Sequence, residues 1–232
     1  MRRIVVVDPA ADDRHGVADL CRLHGHDVVE AATGERAIEL TSAGQADLLL
    51  TEWVLPDISG TEVVRELRRR GLTIPIVLLT SRSNRTDEVV GFEVGADDYI
   101  RKPYDPRVLA ARLSALLRRT ASSESGAARE GVSRVGGLQI DHSARRVRVG
   151  DQEVHLTMTE FNLLDVLASN PERVLTRGQL RDKVWGSPQS LDDHSVDPHV
   201  QRLRHKVFGR PACGLSLEAV PGLGYRLSVR PA

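Results

Sequence analysis

The sequence predicts an α/β protein of two domains, in which a five-stranded parallel sheet precedes a smaller α+β domain. Between Ile4 and Arg119, short apolar runs alternate with helix-like stretches. This alternation is typical of a parallel sheet covered by helices on both faces. Beyond a polar segment the pattern changes to short strands, three helices and a final hairpin. That order indicates a winged helix-turn-helix domain.

The elements of the first domain follow directly from the apolar pattern. Strands are predicted at 4–7, 27–29, 48–51, 76–79 and 99–100. Helices are predicted near 10–23, 34–43, 60–70, 85–94 and 106–119. Thr33 is suited to an N-cap, and Asp105 followed by Pro106 is a suitable start for the last helix.

The second domain begins after a linker predicted at 120–133, so the domains are expected at 1–119 and 134–232. The segments "LQID", "RRVRV" and "EVHL" have the composition of short strands. Thr157 and Glu160 have capping-box spacing before an apolar helix. Two more helices follow, and "LSLEAVPGLGYRLSV" indicates a hairpin around a Pro-Gly turn.

Composition and charge narrow the class of protein. The 232 residues are 41% hydrophobic and 28% charged, as in globular proteins. The longest aliphatic runs fall far below the roughly 18 residues of a membrane span, and no signal-peptide pattern begins the chain, so we expect a cytoplasmic protein. Its two cysteines, Cys21 and Cys213, lie in different halves, which argues against a disulfide framework.

The net charge is zero, but the two halves differ. Residues 1–119 carry 17 Lys/Arg against 19 Asp/Glu, whereas residues 134–232 carry 14 against 11. The basic excess of the second half permits a polyanionic partner. Among the 32 basic residues the lysines are Lys102, Lys183 and Lys206, so the position of each is informative.

Four chemically suited side chains follow the predicted strands. Ligands and reacting groups collect at the carboxyl ends of parallel strands. The residues at these ends are Asp8, Glu52, Thr80 and Lys102. Acids hold Mg²⁺ and provide a nucleophile, while a hydroxyl and an ammonium hold phosphoryl oxygens, so the set is typical of phosphoryl transfer.

Several motifs together resemble the OmpR/PhoB family of bacterial two-component response regulators over nearly the whole chain. They are "RRIVVVD", "LPDISG", "IVLLTSR", "GADDYIRKPYDP", "LTMTEFNLLDVLASNPERVLTRGQLRDKVWG", "SVDPHVQRLRHK" and "VPGLGYRL". The resemblance implies a doubly wound receiver with strand order 2-1-3-4-5 that regulates a DNA-binding domain, without enzymatic function. In that family a phosphorylated aspartate favours receiver dimers.

The resemblance also implies roles for individual residues. Thr80 and Lys102 would contact the phosphoryl group, and Tyr99 would be the aromatic switch. Ion pairs at the dimer face would come from Asp97, Asp98, Arg112 and Arg118. The implied partners are a second copy of the chain, double-stranded DNA at tandem half-sites, and RNA polymerase; a histidine kinase stays open, and no membrane partner is expected.

Two departures from the family lie at the reaction centre. Glu52 occupies the phosphoacceptor position, and Pro9 stands where a second acid is expected after Asp8. We therefore expect no cofactor beyond a weak Mg²⁺ site at Asp8 and Glu52. Asp12 and Asp13 are alternatives for the missing acid, but their place in or near the first helix favours solvated N-terminal charges. Phosphorylation should be weak or absent.

Glu52 is open to three interpretations. It is either inert in a receiver kept for dimerisation, or a built-in phosphoryl mimic reaching Lys102 and Thr80, or an inefficient acceptor. We expect a DNA-binding transcriptional regulator that works independently of phosphorylation. The alternatives are a conventional, weakly phosphorylated regulator and a receiver that docks a ligand or partner. Asp57 has an ordinary structural role in its turn, and Trp53 is expected to pack at the sheet edge.

The third helix of the second domain has one apolar and one polar face. With Ser195 as N-cap and about 100° per residue, Val196, Val200, Leu203 and Val207 form the buried stripe. Facing DNA would be Pro198, Gln201, Arg202 and His205, flanked by Arg204 and Lys206. Arg202 suits guanine and Gln201 suits adenine. The wing has Val220-Pro221-Gly222 in place of the family's Val-Arg-Gly, so it offers no arginine to the minor groove, and Arg226 should lie on the returning strand.

Overall fold

The computed structural model describes residues 1–44, 46–121, 131–185 and 196–230. The chain divides into two compact units, Met1–Leu117 and Arg118–Ala232. Within the described ranges, no helix is long and apolar enough to cross a membrane.

The first unit is built on five parallel strands: β1 (Arg3–Val7), β2 (Asp27–Ala31), β3 (Leu48–Thr51), β4 (Ile76–Thr80) and β5 (Asp98–Arg101). Their order in the sheet is β2-β1-β3-β4-β5, as the family resemblance implied. Every residue of β3 and β4 is buried, because helices cover both faces of the sheet. The predicted fold class is confirmed for this unit.

Five helices cover the sheet: α1 (Ala11–Leu23), α2 (Gly34–Ser42), α3 (Gly60–Arg69), α4 (Arg85–Val94) and α5 (Pro106–Ala121). Successive side chains of a strand point to opposite faces. Val5 and Leu49 accordingly belong to one apolar cluster with α2, α3 and α4, whereas Ile4 and Leu48 belong to another with α1 and α5. The predicted pocket lies at the carboxyl-terminal ends of the strands, between these two apolar clusters.

Local hydrogen bonds fix where the helices begin. Thr33 caps α2, as predicted, by accepting a hydrogen bond from the backbone N–H of Arg36. Asp57 accepts hydrogen bonds from the N–H groups of Gly34 and Glu35, each at 2.8 Å. The loop after β3 is thereby attached to the N-terminus of α2, which gives Asp57 the structural role expected of it.

The second unit begins with four antiparallel strands: β6 (Val132–Val135), β7 (Leu138–Asp141), β8 (Arg146–Val149) and β9 (Gln152–Val154). Three helices follow: α6 (Met158–Ala168), α7 (Arg177–Trp185) and α8 (Val196–Leu203). The short β10 (Leu175–Thr176) then pairs with a hairpin of β11 (Leu215–Val220) and β12 (Gly224–Val229). This is the predicted winged helix-turn-helix architecture.

The predicted linker is structured at both ends. Helix α5 extends to Ala121, and β6 begins at Val132, whereas the sequence pattern placed the linker at 120–133. Strand β6 was missed because it lies at the edge of its sheet and is buried only in part. Strand β10 was missed because two residues carry no periodicity. Residues 122–130 lie outside the described part of the chain.

The apolar stripe of α8 is confirmed. Val196, Val200, Leu203 and Val207 are all fully buried. The α-helix ends at Leu203 and continues as a π-helical turn, Arg204–Phe208, so the assumed 100° per residue holds only up to that point. The predicted N-cap, Ser195, lies outside the described residues.

Candidate functional site

Lys102 lies among three carboxylates at the carboxyl-terminal edge of the parallel sheet. Its Nζ is 2.5 Å from Asp8 Oδ2, 2.7 Å from Asp13 Oδ2 and 3.1 Å from Glu52 Oε2. Burial by itself lowers the pKa of Lys102, but the contacts with Asp13, Asp8 and Glu52 outweigh burial and raise that pKa. The side chain is therefore a permanent ammonium ion shared by three acids.

Asp13 belongs to this pocket, although the sequence pattern favoured a solvated helix charge over a replacement for the missing acid. It lies in the first turn of α1, and its side chain is 53% exposed. Pro9 has no side-chain oxygen to offer, so the third carboxylate comes from the helix instead. The signal was present in the spacing, because the first turn of α1 follows Asp8 closely at the same sheet edge.

Both carboxylate oxygens of Glu52 are engaged. Oε1 accepts hydrogen bonds from the backbone N–H groups of Trp53 at 2.6 Å and Val54 at 3.3 Å, while Oε2 faces Lys102. The Glu52 side chain is only 9% exposed. A buried carboxylate held in this way is a satisfied, fixed anion.

Gly60 closes the loop that carries Glu52. Its N–H donates to the carbonyl oxygen of Trp53 at 2.7 Å. A Cβ at this position would lie 2.2 Å from the carbonyl oxygen of Glu52, far inside van der Waals contact. The glycine of "LPDISG" is therefore required by the close approach of α3 to the end of β3.

Thr80 and Tyr99 are both tied to Arg82. The hydroxyl of Thr80 accepts a hydrogen bond from the backbone N–H of Arg82 at 3.3 Å, and the hydroxyl of Tyr99 donates to its carbonyl oxygen at 2.8 Å. The Tyr99 ring packs edge-on against Trp53, with centroids 6.3 Å apart. Burial raises the pKa of Tyr99 to about 12. Trp53 is itself part of the core, as expected.

In the second unit, Arg202 and Lys206 are paired with an internal acid. Arg202 Nε lies 3.0 Å from Glu160 Oε1, and Lys206 Nζ lies 2.7 Å from Glu160 Oε2. The Arg202 side chain is 13% exposed, and its Nη2 lies 2.5 Å from Nδ1 of the buried His199. This geometry argues against Arg202 as the residue that reads a base, because its guanidinium is held inside the domain.

Two of the predicted DNA-facing side chains remain exposed, namely Gln201 and His205. Arg204 is half-buried, donates to the carbonyl oxygen of Leu217 at 2.9 Å, and lies 5.8 Å from the centre of the Tyr225 ring. The outward face of α8 and its π-helical turn is thus more neutral than the sequence suggested.

The arginine of the wing is paired with an acid of the same hairpin. Arg226 lies on the returning strand, as expected, and its Nη2 is 2.8 Å from Glu218 Oε2. At the turn, Leu223 is 55% exposed. The described wing therefore presents an apolar tip and a neutralised arginine.

Comparison with known proteins identifies the family. Residues 4–114 match the response regulator receiver domain, and residues 151–227 match the transcriptional regulatory protein, C-terminal domain. The sensory transduction protein RegX3 of Mycolicibacterium smegmatis is 39% identical over 98% of this chain and 99% of its own length. The chain belongs to the OmpR/PhoB family of response regulators.

Other members of the OmpR/PhoB family give the same result. The phosphate regulon transcriptional regulatory protein PhoB of Pseudomonas aeruginosa is 39% identical over 99% of this chain and 98% of its own length. Among solved structures, a RitR mutant has a TM-score of 0.74 at 25% identity and covers 98% of this chain and 99% of its own. DrrB of Thermotoga maritima, an OmpR/PhoB homologue, has a TM-score of 0.51 at 29% identity with the same coverage. The chain is therefore a response-regulator transcription factor with a DNA-binding C-terminal domain.

The receiver residues do not fit the Mg²⁺ ion that the OmpR/PhoB family implies. Mg²⁺ requires near-octahedral oxygen ligands, and the side chain of Pro9 supplies none. The ammonium of Lys102 is in contact with Asp8, Asp13 and Glu52 at once, so the carboxylates that would bind a cation already share one. Among the described residues, no group of three or more His, Cys, Asp or Glu is arranged as a set of metal ligands.

The acids predicted for the dimer face of this OmpR/PhoB member are both paired within the receiver. Asp97 is fully buried and binds Arg68 Nη2 at 2.6 Å and the backbone N–H of Ile76 at 3.0 Å, so it is an internal anchor. Asp98 is also buried, which raises its pKa, and is paired with Arg112 at 3.1 Å. The Arg118 side chain lies outside the described part. The Asp97 carboxylate has no exposed surface in the single chain, and its place at a dimer face stays a prediction.

Proposed function

We propose that this response regulator controls transcription through a receiver that dimerises without phosphoryl transfer. It acts in the cytoplasm on double-stranded DNA at tandem half-sites, with RNA polymerase as a partner and without enzymatic function of its own. One observation carries the proposal: Glu52, at the acceptor position, is bound by Lys102 and by two backbone N–H groups of its own loop.

Several physical terms oppose attack by Glu52 on a phosphodonor. The carboxylate would first leave its partners, and each hydrogen bond to a charged group is worth about 1.5–3 kcal/mol. The additional methylene relative to aspartate moves the carboxylate, and a misplacement of about 1 Å in a positioned reaction costs on the order of a hundredfold in rate. Lys102 is also shared with Asp8 and Asp13, so it is not held in reserve for a phosphoryl oxygen.

A phosphoryl mimic is the second candidate, and one observation favours it. Glu52 does reach Lys102, as a mimic should. The hydroxyl of Thr80, however, accepts a hydrogen bond from the backbone N–H of Arg82, and among the described residues the hydrogen bonds to the Glu52 carboxylate come from Trp53 and Val54, not from Thr80. The contacts therefore support a clamp on Lys102 better than a complete substitute for a phosphoryl group.

The proposed DNA-contacting residues follow from exposure. Gln201 and His205 are the candidates for base edges, while the part-exposed Arg204 is a secondary candidate for a phosphate. In the receiver, Asp8, Thr80, Tyr99 and Lys102 are proposed to set the shape of the pocket rather than to transfer a group.

Phosphodonor treatment tests the proposal directly. The full chain is incubated with Mg²⁺ and acetyl phosphate, and intact mass and DNA binding are measured. We expect no mass gain, and a Pro9→Asp/Glu52→Asp variant, which restores both expected acids, serves as a positive control. A stoichiometric gain of one phosphoryl group on the wild-type chain, together with tighter DNA binding, would overturn the proposal.

A further inference from the structure

We propose that Glu160 is a positioning residue for DNA recognition, because it withholds Arg202 and Lys206 from the phosphate backbone. The inference rests on the DNA-binding function of the C-terminal domain. Gln201 and His205, on the uncharged face of α8 and its π-helical turn, would then distinguish one DNA sequence from another. Glu160 itself does not contact DNA.

The Glu160 carboxylate is held in place from its own helix. Glu160 occupies the third position of α6, where Oε2 accepts a hydrogen bond from the backbone N–H of Thr157 at 2.8 Å. The hydroxyl of Thr157 in turn accepts from the backbone N–H of Glu160, which completes a capping box. The carboxylate is thus fixed and fully buried at the end of α6 that faces α8.

Arg202 is bound to Glu160 more firmly than a surface cation would be, whereas Lys206 reaches the same carboxylate from a part-exposed position. A buried carboxylate without a partner is strongly unfavourable, so the acid keeps at least one cation in any state of the domain. Arg202 is nearly enclosed, between Glu160 on one side and His199 on the other. Movement of Arg202 to a phosphate would leave the buried carboxylate with Lys206 as its single cation and would remove the contact of Arg202 with the buried His199. We therefore expect the pair to persist when DNA binds.

This arrangement changes the balance between affinity and specificity. Each phosphate that a cation neutralises adds about 0.9 to the magnitude of the salt slope, and this contribution does not depend on sequence. Under this proposal, cations held by Glu160 contribute nothing to the salt-dependent part of the affinity. Contacts between neutral side chains and base edges then account for a larger share of the binding free energy.

Glu160→Gln tests the inference, because glutamine preserves the capping box while it removes the charge. Duplexes are enriched with the wild-type chain from a random library of roughly 30 base pairs, long enough for two half-sites one helical turn apart. Binding to the enriched duplex and to a scrambled duplex is then measured over a range of salt concentrations. We expect the salt slope of Glu160→Gln on scrambled DNA to steepen by about 1 to 2. The ratio of specific to non-specific affinity should fall.

Two comparisons make the result decisive. Glu153→Gln, which removes an exposed carboxylate from β9, is the control for net charge and should leave the slope as in wild type. Arg202→Gln should also keep the wild-type slope, and it decides the matter if Glu160→Gln does not fold. A folded Glu160→Gln protein with unchanged slope and ratio, or an Arg202→Gln protein whose slope falls by about one, overturns the inference. Failure of the wild-type chain to enrich any duplex would instead count against the DNA-binding function itself.

Discussion

Lys102 Nζ lies 3.1 Å from Glu52 Oε2, so the acceptor position and the pocket cation of this receiver form an ion pair within the chain. The other oxygen of Glu52 is held by the backbone of Trp53 and Val54. Because both oxygens have partners, the Glu52 carboxylate stabilises the folded receiver and fixes the loop after β3.

Replacement of Glu52 by alanine should destabilise the receiver by about 1–3 kcal/mol, because the backbone N–H groups of Trp53 and Val54 lose their acceptor. Urea unfolding followed by Trp53 fluorescence in a Trp185→Phe background measures the loss. Glu52→Gln retains an acceptor oxygen and should lose less. Equal stability of the alanine variant and wild type would contradict the assigned hydrogen bonds.

Glu52→Ala should leave the dimerisation constant and the DNA affinity of the folded protein unchanged, since the mimic interpretation lacks its Thr80 contact. Sedimentation equilibrium and salt-controlled binding to an enriched duplex measure both quantities. Glu52→Asp is the matched variant with a shorter acid. A loss of about tenfold or more in either quantity would favour the phosphoryl mimic over the clamp.

Alkaline pH should destabilise the receiver between about pH 10 and 12. Burial raises the pKa of Tyr99 from 10.0 to about 12, so the neutral phenol stabilises the folded state fully below pH 10 and loses that effect as the pH rises through the folded value. Lys102, whose pKa is also raised, acts in the same direction. The urea midpoint, followed by Trp53 fluorescence, should fall across this range.

Tyr99→Phe is the control for that pH dependence. It should cost about 1 kcal/mol at neutral pH, because the hydrogen bond to the Arg82 carbonyl oxygen is lost. Above pH 10, the free energy of unfolding of Tyr99→Phe should fall less steeply with pH than that of wild type. The difference in slope should correspond to about one titrating proton. Parallel pH profiles of the two proteins would refute the assignment to Tyr99.

Both cysteines should resist thiol reagents in the folded protein. Cys21 and Cys213 are buried, and burial raises the pKa of the Cys21 thiol to about 11 and that of Cys213 in the same direction. Nucleophilic attack needs the thiolate and access. Iodoacetamide labelling at pH 8, read by intact mass, should stay near zero until urea unfolds the chain. Rapid labelling of the native protein would indicate a thiol input that the structure does not favour.

Pro221→Arg should tighten DNA binding and steepen the salt slope by about one, because Arg226 is paired with Glu218 and the described wing turn carries no other cation. Pro221→Gln controls for loss of the proline ring. Identical salt slopes for the two variants would show that the wing tip does not approach phosphates.

Much of the fold was predictable because its signals are local. The strand and helix positions of the receiver followed from apolar runs, and the capping residues Thr33 and Thr157 were recognisable from spacing. The convergence of Asp8, Glu52 and Lys102 followed from a general property of parallel sheets. These features depend on short segments of sequence or on topology alone.

The partners of charged residues were not predictable in the same way. Asp97 and Arg202 were assigned to surfaces, yet Arg68 and Glu160 bind them internally. Glu160 precedes Arg202 by more than forty residues, and no periodicity links positions so far apart. The role of Asp13 as a replacement acid was ranked below that of a solvated charge for a similar reason, since its link to Lys102 joins α1 to the end of β5. Burial of a charge depends on tertiary packing, which a one-dimensional pattern does not contain.

The position of Lys102 among three acids has a consequence for control of this regulator. Under the proposed function, the receiver supplies its own counter-ion, so the described pocket around Lys102 keeps no cation in reserve for a phosphoryl group from an upstream enzyme. Dimer formation then depends on mass action alone. The cell would adjust the output by the number of copies that it synthesises and degrades, which makes the promoter and the proteolysis of the regulator itself the natural places for a signal to act.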